Sequence, residues 1–165
     1  MLLLLMRHGI AEPNSERYAD DSARPLSEKG LHRTRAVAFG LKQLVPSIDM
    51  LATSPKLRAT QTATIVRDVF ADKAPKPKTW DELNAEPGEA LVKKLRALKV
   101  ETVLLVGHEP YLRHCASLLL AGAAGEFNMD WKKAGVCAIE FDPESGQAVL
   151  HWFLGSNALR KIGLA

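Results

Sequence analysis

The stretch Leu2-Leu3-Leu4-Leu5-Met6-Arg7-His8-Gly9 decides the fold. Its apolar run, Leu2 to Arg7, is far shorter than the roughly 20 residues of a membrane-spanning helix. It reads as a strand covered on both faces, the pattern of a central strand in a parallel sheet. The run ends in Arg7-His8 followed by a glycine, so two polar side chains and a turn are expected at the strand's carboxyl end. The opening Met1 to Met6 could pass for a leader peptide. It has no basic segment ahead of it, is shorter than a leader's apolar core and runs straight into Arg7-His8, so a buried strand is expected instead.

Outward from this strand, apolar runs alternate with helical patterns, which predicts an α/β fold. A polar loop rich in Glu, Asp, Ser and Asn extends from Gly9 to about Pro25, and a loop of that length is often functional. Ser27 caps a helix running to about Val45, with Val37, Leu41 and Leu44 on one face and Pro46 beyond its end. Met50 to Thr53 is a second strand. Ser54-Pro55 opens the next helix with a capping hydroxyl and a proline in the first position, and Ile65, Val66, Val69 and Phe70 form its core face. The Lys/Pro-punctuated segment Ala71 to Pro77 leads to a short strand near Thr79 and Trp80.

Pro87 starts a third helix through Leu91, Leu95 and Leu98. Thr102 to Val106 is another fully apolar strand, and it ends at Gly107-His108. Pro110 begins a fourth helix through Leu112, Cys115, Ala116 and Leu119. Val136 to Phe141 and Ala148 to Leu154, joined by Asp142-Pro143-Glu144-Ser145-Gly146, predict an antiparallel hairpin. The expected architecture is a three-layer α/β/α sandwich, with a mostly parallel central sheet and a C-terminal antiparallel hairpin.

The chain has 165 residues, 47% of them apolar and 25% charged, with a net charge of +3. That suits one globular domain over 1–165. The mild, mixed charge argues against a nucleic-acid partner, and no stretch is long enough for a membrane span. Cys115 and Cys137 lie in apolar stretches without metal-type or redox-type spacing. Buried free thiols, a reducing compartment and a cytoplasmic location are expected.

Three positions share one address in such a sheet. His8 follows the first strand, Ser54 the second, and His108 the strand Thr102 to Val106. Ligands of open α/β sheets bind outside the carboxyl ends of the strands. Helices starting near Pro55 and Pro110 would aim N-terminal amides at the same mouth, a setting for an anion. Arg7 beside His8 and Arg58 in the first turn of its helix can reach it too. Two histidines, two arginines and helix N-termini suit a phosphate-like dianion. A neutral imidazole can attack phosphorus in line, and guanidinium forks can hold the equatorial oxygens where charge spreads in the transition state. His32, His114 and His151 lack this context and read as structural or surface residues. A metal site is disfavoured, since neither His8 nor His108 has a ligand-spaced partner and Arg7 would sit beside the cation. Walker, Gly-x-Gly-x-x-Gly and Gly-x-Ser-x-Gly signatures are absent.

With these residues in hand, the chain resembles the histidine phosphatase (phosphoglycerate-mutase-like) superfamily, and within it the small SixA-type phosphohistidine phosphatases. Arg7-His8-Gly9 is similar to the family's Arg-His-Gly signature. Arg24-Pro25-Leu26-Ser27-Glu28-Lys29-Gly30 resembles its Arg-Pro-Leu-Thr/Ser-x-x-Gly segment. Ser54-Pro55-Lys56-Leu57-Arg58-Ala59-Thr60-Gln61-Thr62-Ala63 resembles its Ser-Pro-x-x-Arg-Ala-x-Gln-Thr-Ala helix, and Gly107-His108-Glu109-Pro110 its second histidine motif.

The resemblance implies that His8 is the nucleophile, that Arg7, Arg58 and His108 complete the phosphate pocket, and that neither a metal nor an organic cofactor is used. Arg24 is a further binder on this basis, with a plain structural role as the alternative. Larger members place an acidic proton donor before the third helix, where Glu82 and Glu86 are the candidates here, neither in a convincing context. An alkoxide leaving group needs such a proton, whereas imidazole leaving from a protonated phosphohistidine does not. The expected substrate is therefore phosphohistidine on a protein, such as a phosphorelay component. A phosphatase of small phosphate monoesters drawn from phosphorylated metabolites, with Glu82 or Glu86 as acid, is the alternative. A catalytically silent module that docks phosphoproteins is a third reading.

Overall fold

A computed structural model describes residues 1–18, 20–125 and 127–164. The apolar run forms β1 (Leu2–Arg7), in which Leu3, Leu4, Leu5 and Met6 are inaccessible to solvent. Parallel β4 (Thr102–Gly107) flanks it on one side and antiparallel β5 (Val136–Phe141) on the other. Beyond β4 lie β2 (Met50–Thr53) and the short β3 (Lys78–Thr79), both parallel, while β6 (Ala148–Leu154) pairs antiparallel with β5. The strand order is β3-β2-β4-β1-β5-β6, so β1 marks the boundary between a parallel half and an antiparallel half.

Successive strand side chains point to opposite faces, and β1 uses both. Leu4 and Met6 join α1 (Glu28–Leu44), α2 (Leu57–Phe70) and α5 (Ser156–Ile162) through Val37, Leu41, Val66, Phe70 and Leu159. Leu3 and Leu5 face α3 (Glu89–Arg96) and α4 (Tyr111–Ala121) through Leu91, Leu95, Leu112 and Cys115. Three layers result, as the alternating sequence pattern implies. Cys115 and Cys137 are buried free thiols on the second face, where burial pushes both up to about 12.

The details differ from the sequence reading at the helix ends. Ser54 does not cap α2. The helix begins two residues beyond Pro55, at Leu57, and the Ser54 hydroxyl accepts from the Lys56 N–H at 3.3 Å and shares a shorter bond with His108 at 2.7 Å. Pro87 and Pro110 likewise lie just outside α3 and α4 rather than in their first turns. Leu44 is exposed at the end of α1, while Val37 and Leu41 are fully buried. The loop of 9–25 is not structureless, since Ala11 bridges Leu26 and a 3-10 turn spans Asp21–Ala23, capped by Asp20.

The short α5 went unanticipated. It packs on α1 at a point of backbone contact: a Cβ on Gly40 would fall on the Leu159 carbonyl, 2.7 Å from its carbon. The neighbour is backbone and cannot rotate away. Gly40→Ala should therefore destabilise the fold by about 1–2 kcal/mol, the overpacking cost outweighing the helix-propensity gain of about 1 kcal/mol. Chemical denaturation measures this, and a midpoint at or above that of the parent would contradict the close α1–α5 packing.

Candidate active site

The register of β1 on β4 pairs Arg7 with Gly107. The next residues, His8 and His108, therefore leave neighbouring strands side by side, with ring centroids 4.9 Å apart and planes tilted by 52°. Both are almost fully buried. The backbone of His8 is clamped: its N–H donates to the Gly107 carbonyl (3.0 Å), and its own carbonyl accepts from the Ala134 N–H (3.1 Å). Glycine follows because nothing larger fits. A Cβ on Gly9 would land on Thr34 Oγ1 and lie 3.1 Å from Leu26 Cδ2, and the Gly9 N–H is held by Thr62 Oγ1 at 3.0 Å.

His8 Nδ1 lies 2.7 Å from the Gly9 carbonyl oxygen. A carbonyl can only accept, so Nδ1 carries the proton and, in the neutral ring, Nε2 carries the lone pair. Burial, followed by the charges of Lys133 and His108, pushes His8 down to about 2. The ring is thus neutral, with Nε2 available, at neutral and mildly acidic pH. His108 is pushed down to about 3 by burial and then by Arg58. Its Nε2 shares a hydrogen bond with Ser54 Oγ (2.7 Å), and its Nδ1 is buried without a partner among the described residues.

Arg58, at the start of α2, is buried, and both terminal nitrogens are already engaged. Nη1 donates to the Asp21 carbonyl (2.6 Å) and Nη2 to the Asp21 carboxylate (2.7 Å). Arg24 reaches the same carboxylate through Nη2 (2.7 Å) and Nε (3.1 Å), and Lys56 through Nζ (3.1 Å). The hydrogen bond from Arg58 above all, with those from Lys56 and Arg24, holds the Asp21 carboxyl well below the usual carboxylate range. The guanidinium fork is therefore occupied by a residue of the protein's own loop, one donor on the Asp21 carboxylate and the other on its main-chain carbonyl. Arg7 is tethered too, with Nη1 donating to the Trp131 carbonyl and Nε buried without a partner among the described residues.

Two groups near the histidines were missed in the sequence. Asp21 carries a weak signal, an acidic residue three positions before Arg24 in the polar loop. Lys133 carries none. Its Nζ lies 3.4 Å from His8 Nε2, and burial, then Arg7 and Arg58, push the ammonium down to about 8.

The acidic candidates are otherwise engaged. Glu82 is gripped by Lys94 Nζ at 2.8 and 2.9 Å, which lowers its pKa and keeps it ionised, the reverse of what a proton donor needs. Glu86 bonds His114 Nδ1 on the surface. His151 pairs across the hairpin with Glu140 (2.9 Å), and His32 is exposed on α1. Among the described residues no group of three or more His, Cys, Asp or Glu is placed to hold a metal ion. No helix among them is long and apolar enough to cross a membrane.

Paired histidines at adjacent strand ends, set among Arg7, Arg24, Lys56, Arg58 and Lys133, give this α/β protein a cationic site whose chemistry suits a phosphate-like anion. Residues 3–89 match the family model of the histidine phosphatase superfamily (branch 1). The chain belongs to that superfamily and is an enzyme of its SixA-like phosphatase kind. It is 30% identical to phosphohistidine phosphatase SixA of Escherichia coli (strain K12), over 92% of each chain. It is 37% identical to an uncharacterised protein of Picosynechococcus sp. (strain PCC 7002), over 84% of each chain. Among solved structures it is similar to the protein histidine phosphatase SixA complexed with tungstate, with a TM-score of 0.83 and 29% identity, covering 96% of this chain and 99% of that one.

Proposed function

We propose that this chain removes phosphate from phosphohistidine on a protein, without a metal ion, through a phosphoryl group carried on Nε2 of His8. The observation that carries the reading is the Nδ1–H bond from His8 to the Gly9 carbonyl, which leaves Nε2 unprotonated among fixed cations. The similarity to Escherichia coli SixA, named a phosphohistidine phosphatase, supports the substrate class. Tungstate, the ligand of the similar solved structure, is a phosphate-like oxyanion and supports the pocket.

In the first step the Nε2 lone pair forms a bond to phosphorus while the bond from phosphorus to the substrate imidazole breaks. The departing ring keeps the proton it already carried and takes the bonding pair. His8 becomes an imidazolium that bears Nδ1–H and the phosphoryl group. Water then attacks phosphorus, the P–Nε2 pair returns to Nε2, and the two water protons leave on dihydrogen phosphate. Because the Gly9 carbonyl keeps Nδ1 protonated, the phosphorylated ring remains a good leaving group and neither step needs a separate acid. Arg7, Arg58, His108 and Arg24 serve to bind the phosphoryl oxygens, Arg58 and Arg24 once phosphate displaces Asp21. The partner is a phosphohistidine-bearing protein such as a phosphorelay component, met in the cytoplasm.

An alkyl phosphate is a poor substrate on this reading, since a well-placed acid is worth about 10²–10⁴-fold for an alkoxide leaving group. A side-by-side assay on a phosphohistidine protein and a panel of sugar and alkyl phosphates, with and without EDTA, tests it. The expected result is a kcat/KM at least about 10²-fold higher on phosphohistidine, unchanged by the chelator. Preference for a monoester, or loss of activity in EDTA that added metal restores, would defeat it.

A further inference from the structure

We propose that Lys133 is a catalytic residue of this site, whose ammonium group binds the phosphoryl oxygens as phosphate passes onto and off Nε2 of His8. The inference rests on the reading of His8 as nucleophile and adds to it a residue outside the family-like motifs. Its starting point is the 3.4 Å separation of Lys133 Nζ from His8 Nε2, the atom that bonds phosphorus.

Lys133 is not a surface lysine that happens to lean inward. Its turn is fastened to the end of β1. The Ala134 N–H donates to the carbonyls of both Arg7 and His8, each at 3.1 Å, and the Gly135 carbonyl accepts from the Arg7 N–H at 3.0 Å. The Trp131 carbonyl accepts from Arg7 Nη1, while the buried Trp131 ring donates through Nε1 to the Gly135 carbonyl at 3.0 Å. Ala134 adopts φ 59°, a left-handed conformation that costs a non-glycine residue energy and that the docked turn maintains. The turn thus positions Lys133 by backbone contacts with the same two residues, Arg7 and His8, whose side chains line the site.

Cations dominate its surroundings. The adjacent Lys132 pairs with Asp130 at 2.8 Å in open solvent, whereas Lys133 makes no ion pair among the described residues. The groups that face it are Arg7 from β1 and His8 just beyond it, His108 just beyond β4, Arg58 from α2, and Arg24 and Asp21 from the loop. Asp21, the acid among them, is already bonded by Arg24, Lys56 and Arg58. A half-buried ammonium among like charges is unfavourable until a multiply charged anion arrives. A phosphoryl group on Nε2 is such an anion, formed beside Nζ.

Direction of attack separates this role from that of a general acid. In an in-line transfer the leaving atom lies across phosphorus from Nε2. Lys133 stands on the Nε2 side, so in the first step it reaches the equatorial oxygens and not the departing imidazole. In the second, Nε2 leaves as a neutral ring nitrogen that needs no proton. Its position also makes it useful in both half-reactions, because Nε2 is the entering atom in the first and the leaving atom in the second. Before substrate arrives, the ammonium donates toward the Nε2 lone pair. Its flexible four-carbon stem allows it to move onto the oxygens as the N–P bond forms.

The test is kinetic, on the full chain with a phosphohistidine protein as substrate, following formation and decay of the trapped phosphoenzyme separately. Lys133→Met should lower kcat/KM by about 10²–10³-fold, the scale of one lost transition-state donor, and slow both phases. Lys133→Arg should recover activity to within about tenfold of the parent, because it keeps the charge though not the ammonium geometry. In the parent, kcat/KM should fall above about pH 8 as Lys133 loses its proton in the free enzyme. Lys133→Arg should move that alkaline limb upward while the other facing groups stay unchanged. A structural role would not produce that movement. Lys133→Met within about threefold of the parent, or Lys133→Arg that leaves the limb in place, would overturn the proposal. If the parent itself forms no phosphoenzyme, the failure lies with the reading of His8 instead.

Discussion

His8→Ala is expected to reduce kcat by about 10⁴-fold or more, the scale seen when a covalent nucleophile is deleted. It should also leave no phosphoryl group on the protein when a reaction is quenched in alkali, where phosphohistidine survives. No other group in the site can replace it. His108 is the nearest imidazole, but its Nε2 is taken by Ser54 at 2.7 Å, and it lacks the Nδ1–H to carbonyl bond that sets the His8 tautomer. The two thiols are buried and pushed up to about 12, so neither is an ionised nucleophile. Loss of activity should not be loss of fold. The variant forfeits the bond from Nδ1 to the Gly9 carbonyl, but the main-chain bonds from His8 to Gly107 and from Ala134 to His8 remain. Rapid-quench mass measurement checks the phosphoenzyme and a thermal melt checks the fold. Turnover within about tenfold of the parent, or a phosphoenzyme that persists in the variant, would exclude His8 as the carrier.

The residues that could be read from the sequence share a physical property. Each sits at the end of an apolar run or the start of a periodic helix, where local pattern fixes both element and address. Leu2 to Met6 could only be a strand buried on two faces, and a strand parallel to it, Thr102–Gly107, had to end at the same edge of the sheet. Hence His8 and His108 could be expected together although 100 positions apart, and the structure brings their rings to 4.9 Å. Arg58 was legible for the same reason, lying one residue into α2.

What the sequence hid is held by backbone contacts that leave no side-chain pattern. Lys133 reaches His8 because the Ala134 N–H docks on two carbonyls, and any residue but proline at 134 would offer that N–H. Asp21 finds Arg58 through the course of a loop whose regular features, among the described residues, are one bridge and a 3-10 turn. The helix α5 is a seven-residue segment, too short for its period to show, whose position depends on the backbone contact at Gly40. Ser54 was assigned to the wrong partner for a related reason. A serine before proline is a good cap by local chemistry, but a strand end beside His108 offered its hydroxyl a tertiary partner.

Arg58→Ala should produce the second large loss, about 10²–10³-fold in kcat/KM, and the reason lies in its contact with Asp21. The two side chains are unequally buried: 5% of the Arg58 side chain is exposed against 43% for Asp21. When a phosphoryl group enters, the partner that can yield is therefore Asp21. Its carboxylate turns toward water and releases Nη2, and its main-chain carbonyl draws back to release Nη1, while the guanidinium stays in place with its donors aimed. Exchanging one carboxylate for another anion gains little in the ground state, because Arg58 is already bonded at 2.6 and 2.7 Å. The gain should come in the transition state, where the spreading charge of the phosphoryl oxygens exceeds that of a carboxylate. The loss in Arg58→Ala should accordingly fall mainly on kcat rather than KM. Arg58→Lys should recover little, since one ammonium cannot supply two parallel donors from a buried helix start. Steady-state kinetics on a phosphohistidine protein, with a melt to confirm folding, separates the cases. A variant that loses affinity but keeps kcat would mean that Arg58 only gathers phosphate. A variant within about threefold of the parent in both would mean that Asp21 keeps Arg58 throughout, and that the fork never turns to the substrate.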